Sequence, residues 1–319
     1  LISPQPSPAV MAFYSPDPAM GQTLRDLVHA LELQGRPGLA QQVSITWLRY
    51  DTSLIARAKD WDPAVLWAQS VAGASWGGDL QRYPASVVKA FYLAAAEAWL
   101  QADLLEPGPE WHRALAAMIQ DSSNDATSLV VDWLSGTTSG PPLEGPAWAD
   151  WTAQRQLVNG WLASLGWPEL AGCNVCQKTW GDGPFGRERQ FYGPLQENRN
   201  SLITDACARL LHAVMASAMG SPPACARMRD LLARSLDPAE RAADPENQVD
   251  GFLGEGLPEG SRLWSKAGWM SQARHDLAYV EAPHHVPFLL VVFSEGAHCA
   301  GDTALLPELA AHLAKACRA

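Results

Sequence analysis

The sequence predicts an α+β fold: an antiparallel sheet flanked by N- and C-terminal helices, with an all-helical insertion. Three observations predict it. Residues 43–50 (V-S-I-T-W-L-R-Y) alternate and are rich in β-formers, as a strand near the start of the chain should be. Three further strand-like runs, 262–268, 276–282 and 287–294, cluster near the end. The long periodic stretches between them are helical. Helices and strands are thus segregated along the chain, which points to an α+β layer and not to alternating βαβ units.

Each element has its own signal. Residues 1–20 are proline-rich and read as an extended arm. Residues 22–33 place Leu24, Leu27, Val28 and Leu31 at helical spacing and stop before Gly35 and Pro37. After the strand at 43–50, the segment up to Tyr83 shows no clear period. Residues 85–101 are helical and almost wholly apolar, which predicts a buried helix. Two more helices, 111–120 and 126–134, are separated by the polar cluster 121–125. Residues 136–146, rich in Gly and Pro, read as a loop, and 151–165 as a helix again. Residues 171–200 combine Gly, Pro and charge and predict a long irregular loop, a feature that is usually functional when ordered. Helix returns at 204–219, and a helix over 305–317 closes the chain. The expected organisation is one compact unit of two interleaved subdomains: 1–84 with the arm, first helix and first strands, 85–204 as the helical region, and 205–319 as the rest of the α/β region.

Composition narrows the function. The chain has 319 residues, 47% apolar, enough for a substantial core. Its net charge of −11 and only five lysines leave no basic stretch to track a phosphate backbone, so nucleic acid is not an expected partner. No apolar run reaches the roughly 20 residues that span a bilayer. Fourteen tryptophans are unusual and are expected to serve packing more than ligand binding. An even count of six cysteines suits an exported protein with one or more disulfides. Cys173 and Cys176 are spaced like half of a zinc site, but no second pair completes four ligands, so no metal or cofactor is expected. The opening Leu1-Ile2-Ser3 without methionine fits a secretory leader already removed, or a trimmed chain.

Three short motifs carry chemistry. In Pro84-Ala85-Ser86-Val87-Val88-Lys89, the serine and lysine lie three apart at a helix start and share one face. A serine hydroxyl needs a neighbouring base to become a nucleophile. Lys89 is the only charge between Arg82 and Glu97, and burial among Val88, Ala90, Phe91 and Leu93 lowers an ammonium pKa. The plain alternative is a lysine on a polar helix face, and S-x-x-K arises about once by chance in a chain of this length. Ser122-Ser123-Asn124 sits between two helices, where a hydroxyl can relay a proton and a carboxamide can hold a substrate amide; taken alone, turn and N-cap chemistry explains it better. Lys266-Ala267-Gly268 ends a strand, with positive charge for a substrate carboxylate and a glycine that admits a close backbone approach. Each pattern, S-x-x-K, S-x-N and K-x-G, occurs once, and they come in this order: helix start, inter-helix turn, strand.

This arrangement resembles the penicillin-recognising serine enzymes, and most closely the class A β-lactamases. R-Y-P-A-S-V-V-K around Ser86 is similar to the family's aromatic-Pro-x-Ser-x-x-Lys signature. M-I-Q-D-S-S-N-D-A-T-S-L-V-V resembles the stretch that carries S-D-N, and H-D-L-A-Y-V with P-F-L-L-V-V-F resembles the two strands after K-T-G. The resemblance implies that Ser86 is acylated, Lys89 is its proton partner, Ser122 relays a proton to the leaving group, Asn124 positions substrate and Lys266 binds its carboxylate. It implies an oxyanion hole from the Ser86 N–H and one in the strand after Lys266, near Met270. It also calls for a loop glutamate that activates the deacylating water, for which Glu188 fits the spacing best and Glu197 second. Three departures stand out. Ala267 replaces the family's hydroxyl residue, for which Ser271 or Arg274 would have to compensate. The Lys89–Ser122 interval is shorter than in class A enzymes, and the Asn124–Lys266 interval longer.

The expected function is a serine hydrolase forming an acyl-enzyme on Ser86, with β-lactam hydrolysis first. A D-Ala-D-Ala-type peptidase, amidase or esterase of the same superfamily is second, and a non-catalytic binding protein keeping the fold is third. The expected partner is a small-molecule or peptide substrate, and the expected state an exported monomer.

Overall fold

Seven strands form one sheet in the computed structural model, which describes residues 13–58 and 62–319. They are β1 (Ser15–Pro16), β2 (Val43–Arg49), β3 (Ala72–Trp76), β4 (Ala233–Arg234), β5 (Arg262–Met270), β6 (Ala273–Glu281) and β7 (Phe288–Glu295), in the spatial order β1-β3-β2-β7-β6-β5-β4. Only the β1–β3 pair is parallel.

Both faces of the sheet are buried, so its central strands are apolar on both sides. In β2, Val43, Ile45 and Trp47 point to one core and Leu48 to the other; in β7, Leu290 and Val292 oppose Leu289, Val291 and Phe293. On the first face pack the helices Pro18–Leu33 and Leu305–Lys315, through Leu24, Leu27, Leu31, Leu306, Leu309 and Leu313. The first of these starts where Asp17 accepts from Ala19 N and Met20 N at 2.8 and 3.0 Å, with Pro18 pre-set for the first turn. Against the second face lie the helices Val88–Gln101 and Thr204–Met215 and the rest of the helical region. The α+β architecture expected from the sequence is therefore the observed one.

Several boundaries differ. Of the proline-rich arm, residues 1–12 lie outside the described residues, and the remainder supplies β1 and the start of the first helix. The aperiodic segment before Tyr83 holds β3, whose Gly73 lets Tyr14 and Leu48 close in so far that a Cβ would meet them at about 2.6 Å. The helix expected over 151–165 begins earlier and is two, Gly145–Arg155 and Leu157–Ser164. The long loop contains a helix, Gly186–Tyr192, and the helix at 204 stops at Met215 before a further one, Pro222–Leu232. The expected disulfide is not met: all six cysteines are free thiols. Five of them are buried, and burial raises their thiol pKa values and keeps them protonated.

Candidate active site

Ser86 lies in a single 3₁₀ turn, Ala85–Val87, that runs straight into the buried helix Val88–Gln101. Ala85 is held at φ 46°, in the left-handed region that costs a non-glycine residue about 1 kcal/mol or more. The surroundings fix this turn. Ser294 N–H donates to His275 Nδ1 at 3.0 Å, so the proton sits on Nε2, which reaches the Tyr83 carbonyl at 2.8 Å. Burial pushes His275 down to about 4, so it stays neutral. On the other side, Gly268 of β5 backs directly onto the turn. A Cβ there would fall 2.8 Å from Ser86 N, 3.0 Å from Val87 N and 3.1 Å from Pro84 O. The glycine is required by this backbone-to-backbone contact.

One turn beyond Ser86, Lys89 is fully buried. Its Nζ donates to Ser122 O at 2.5 Å, to Asn124 Oδ1 at 2.9 Å and, at 3.3 Å, to Ser122 Oγ. Burial alone lowers its pKa to about 7. No hydrogen bond joins the Ser86 and Lys89 side chains in the resting geometry, which is common where catalytic contacts tighten only around substrate.

Ser122 bridges the helices Pro109–Ile119 and Asn124–Ser135 and is itself left-handed, at φ 54°. Ser123 takes the N-cap, accepting from Ala126 N at 3.1 Å, which frees Ser122 and Asn124 to face inward. Asn124 Oδ1 accepts from both Lys89 and Thr179 Oγ1 (2.8 Å), so its amide nitrogen is turned outward as a donor. From the strand side, Lys266 Nζ donates to the same Ser122 Oγ at 2.9 Å, and also to Gln248 Oε1 at 2.5 Å and Ala267 O at 2.7 Å. Burial, with Lys89 and Arg234 nearby, holds the Lys266 pKa well below the ordinary lysine value. Ser86, Ser122, Asn124, Gln248, Ala267 and Gly268 line one cleft of about 510 Å³.

Met270, expected to supply the second oxyanion donor, does not present its N–H on the open edge of the strand. Ala267 N–H leaves the outer edge of β5 to reach Gln248 Oε1 at 3.2 Å. Backbone groups alternate sides along a strand, so Trp269 shows its N–H on that same edge, while Gly268 and Met270 turn theirs to β6. Trp269, not Met270, borders the cleft.

Neither candidate glutamate reaches the cluster. Glu188 has no exposed surface and is consumed elsewhere. Its Oε1 accepts from Arg155 Nη2 at 2.6 Å and Ser139 Oγ at 2.8 Å, with Lys178 Nζ at 3.6 Å, and Asp132 completes the group at 2.8 Å from Lys178. This ion cluster anchors the loop from which the neighbouring Thr179 touches Asn124. Glu197 is exposed and accepts from Leu195 N in its own turn. Of the two residues considered as substitutes for the missing hydroxyl at 267, Arg274 lines the cleft and Ser271 does not; Arg274 spends Nε on Ala300 O and Nη1 on Gly251 O. Sequence reasoning missed Gln248, Thr179, Trp269 and His275. Only the last two stand near a motif, one just after Gly268 and one opposite it in β6.

A family model described as the beta-lactamase enzyme family matches residues 104–317, beginning beyond Ser86 and Lys89. No curated protein matches the chain. Among solved structures, a penicillin-G acyl-enzyme complex of a PBP-A mutant is 16% identical with a TM-score of 0.62, covering 95% of this chain and 97% of that one. A β-lactamase from Sphaerobacter thermophilus is 18% identical (TM-score 0.58; 92% and 98% covered). The last common ancestor of Gram-negative bacteria class A β-lactamase is also 18% identical (TM-score 0.58; 92% and 99%). At these identities the likeness is one of fold.

Proposed function

Because the chain belongs to the beta-lactamase enzyme family, we propose that it is a serine hydrolase that forms an acyl-enzyme on Ser86. The observation that carries this reading is the Ser122 hydroxyl, which accepts from Lys89 and Lys266 at once. A hydroxyl has two lone pairs and one proton; once Lys89 is an ammonium both lone pairs are occupied, and the proton is left to point into the cleft.

The steps follow from the geometry. Burial lowers the Lys89 pKa to about 7, which gives access to the neutral amine; in that form its two N–H groups stay on the nearer acceptors, Ser122 O and Asn124 Oδ1, and its lone pair takes the proton as Ser86 Oγ attacks the acyl carbon. The oxyanion is held by the N–H groups of Ser86 and Trp269, preorganised by the Gly268 contact. Ser122 gives its proton to the leaving nitrogen or oxygen and is reprotonated from Lys89. Asn124 offers its amide N–H to the acyl side of the substrate. Water then hydrolyses the ester on Ser86.

The family suggests a β-lactam as acyl donor. A second reading, a peptide, ester or other amide as donor, is favoured by two observations. No carboxylate partners Lys89 or Asn124 where a deacylating base would be needed, since Glu188 is engaged by Arg155 and Ser139. Lys266 has no surface from which to meet a substrate carboxylate. We place the protein among exported enzymes, as members of this family typically are; no helix among the described residues is long and apolar enough to cross a membrane.

Intact-mass measurement after incubation with a penicillin and a chromogenic cephalosporin tests the proposal. Turnover abolished in Ser86→Ala supports β-lactam hydrolysis, and a lasting adduct on Ser86 without turnover supports the second reading. A protein that no β-lactam, phosphonate or ester probe labels at Ser86 would be a binding protein, and the acyl-enzyme proposal would be wrong.

A further inference from the structure

Resting on the reading of Ser86 as the acylated residue, we propose that the acyl donor is a neutral or cationic ester or amide that brings no carboxylate to the Lys266 corner of the cleft. An ammonium has three donors. Lys266 spends all three inside the protein, on Ser122 Oγ, Gln248 Oε1 and Ala267 O, and has no exposed surface.

Gln248 is what closes this corner. Its Oε1 takes Lys266 Nζ and Ala267 N, while its Nε2 donates to Ile119 O at 2.9 Å and Gln120 O at 2.8 Å. Every hydrogen-bonding position of the amide is therefore filled; moving it aside strips the Ala267 N–H of its partner and takes one bond each from Lys266, Ile119 O and Gln120 O, the two carbonyls keeping only Arg234. Beside it, Ala267 offers a methyl where a hydroxyl would donate. The part of the cleft left open to a ligand carries the opposite charge. Asp121, Glu246 and Asp250 are exposed on its rim, and of these only Asp250 is paired, with Arg241. Arg274 is the one cation on the lining; it is nearly buried and holds two backbone carbonyls. Phe252 and the exposed ring of Trp269, pinned by its Nε1–H to Ala300 O at 3.0 Å, add apolar wall. A carboxylate entering here meets acids at the rim and no free ammonium within. A neutral or ammonium-bearing group meets no such penalty.

Three 4-nitrophenyl esters, alike except for an acyl chain ending in a carboxylate, a methyl ester or an ammonium, test this on the full chain. The rate of Ser86 acylation is read by nitrophenol release and intact mass. The neutral and ammonium esters are expected to react at least tenfold faster than the carboxylate, and Glu246→Gln should shrink the ammonium ester's lead over the neutral one. Gln248→Leu, which returns one Lys266 donor and the Ala267 N–H to the cleft, should raise the carboxylate ester's rate relative to the neutral one. Faster reaction of the carboxylate ester in the unmodified protein overturns the proposal; loss of that advantage in Arg274→Ala would assign the carboxylate to Arg274. Absence of labelling by every ester and by a fluorophosphonate would instead refute Ser86 as nucleophile. Fluorophosphonate labelling with a carboxylate preference refutes the selectivity alone.

Discussion

Replacing Gly268 by alanine tests whether the β5 backbone sets the position of Ser86. The added methyl would sit 2.8 Å from Ser86 N, with Val87 N and Pro84 O at 3.0 and 3.1 Å, and all three are backbone atoms that no rotamer change can move. Ordinary contact begins at 3.4 Å, so strand and turn must part by about 0.6 Å. Overpacking of this kind costs about 1–3 kcal/mol of stability. The same displacement separates the two proposed oxyanion donors, on Ser86 and Trp269. A misplacement of about 1 Å in an active site can cost about 100-fold in rate. We therefore expect Gly268→Ala to acylate roughly 10–100 times more slowly, or about 1.4–2.7 kcal/mol in barrier. Stopped-flow labelling of Ser86 with a fluorophosphonate gives the rate, and thermal unfolding gives the stability. A variant that loses stability yet acylates at the original rate would refute the reasoning, because the turn would then hold its geometry without the strand.

Two further outcomes follow from the site. Lys89 accepts a proton only when neutral, and its lowered pKa of about 7 makes the acylation rate rise with pH through about 7 and level off above; a rate–pH profile flat from 5 to 9 would exclude Lys89 as the base. Glu188→Gln weakens a buried ion cluster at a cost of about 3 kcal/mol, or roughly 6 °C in Tm, while the lifetime of the Ser86 adduct stays unchanged; an adduct whose lifetime lengthens tenfold would return Glu188 to the chemistry.

How much of this was legible in the sequence depended on the range of the cause. The buried helix after Ser86 and the alternating strands were legible because local periodicity writes them directly, and the order of three motifs located the cluster. The sequence points near Met270 and not to its neighbour Trp269, because strand parity depends on the hairpin turn at Ser271 and Gln272, which fixes which N–H faces outward. Glu188 fitted a spacing, but its charge is claimed by Arg155, 33 residues earlier, a pairing that no pattern along the chain encodes. Gln248 and Thr179 lie in stretches with no period or motif; only tertiary closure brings them to Lys266 and Asn124.

The contacts that hold the Ser86 turn also bear on how the molecule assembles. Tyr83 is joined to His275 across 192 residues, and Ser122 to Lys266 across 144. Closing loops of that length is entropically unfavourable until the strands between them have paired, so these contacts are expected late in folding. The His275 ring is itself oriented by Ser294 in β7, which pairs with Val43 at the start of β2. A nascent or partly unfolded chain therefore contains the serine and both lysines without the arrangement proposed to make the serine reactive. Appearance of Ser86 labelling during refolding would then report completion of the sheet, and no earlier step.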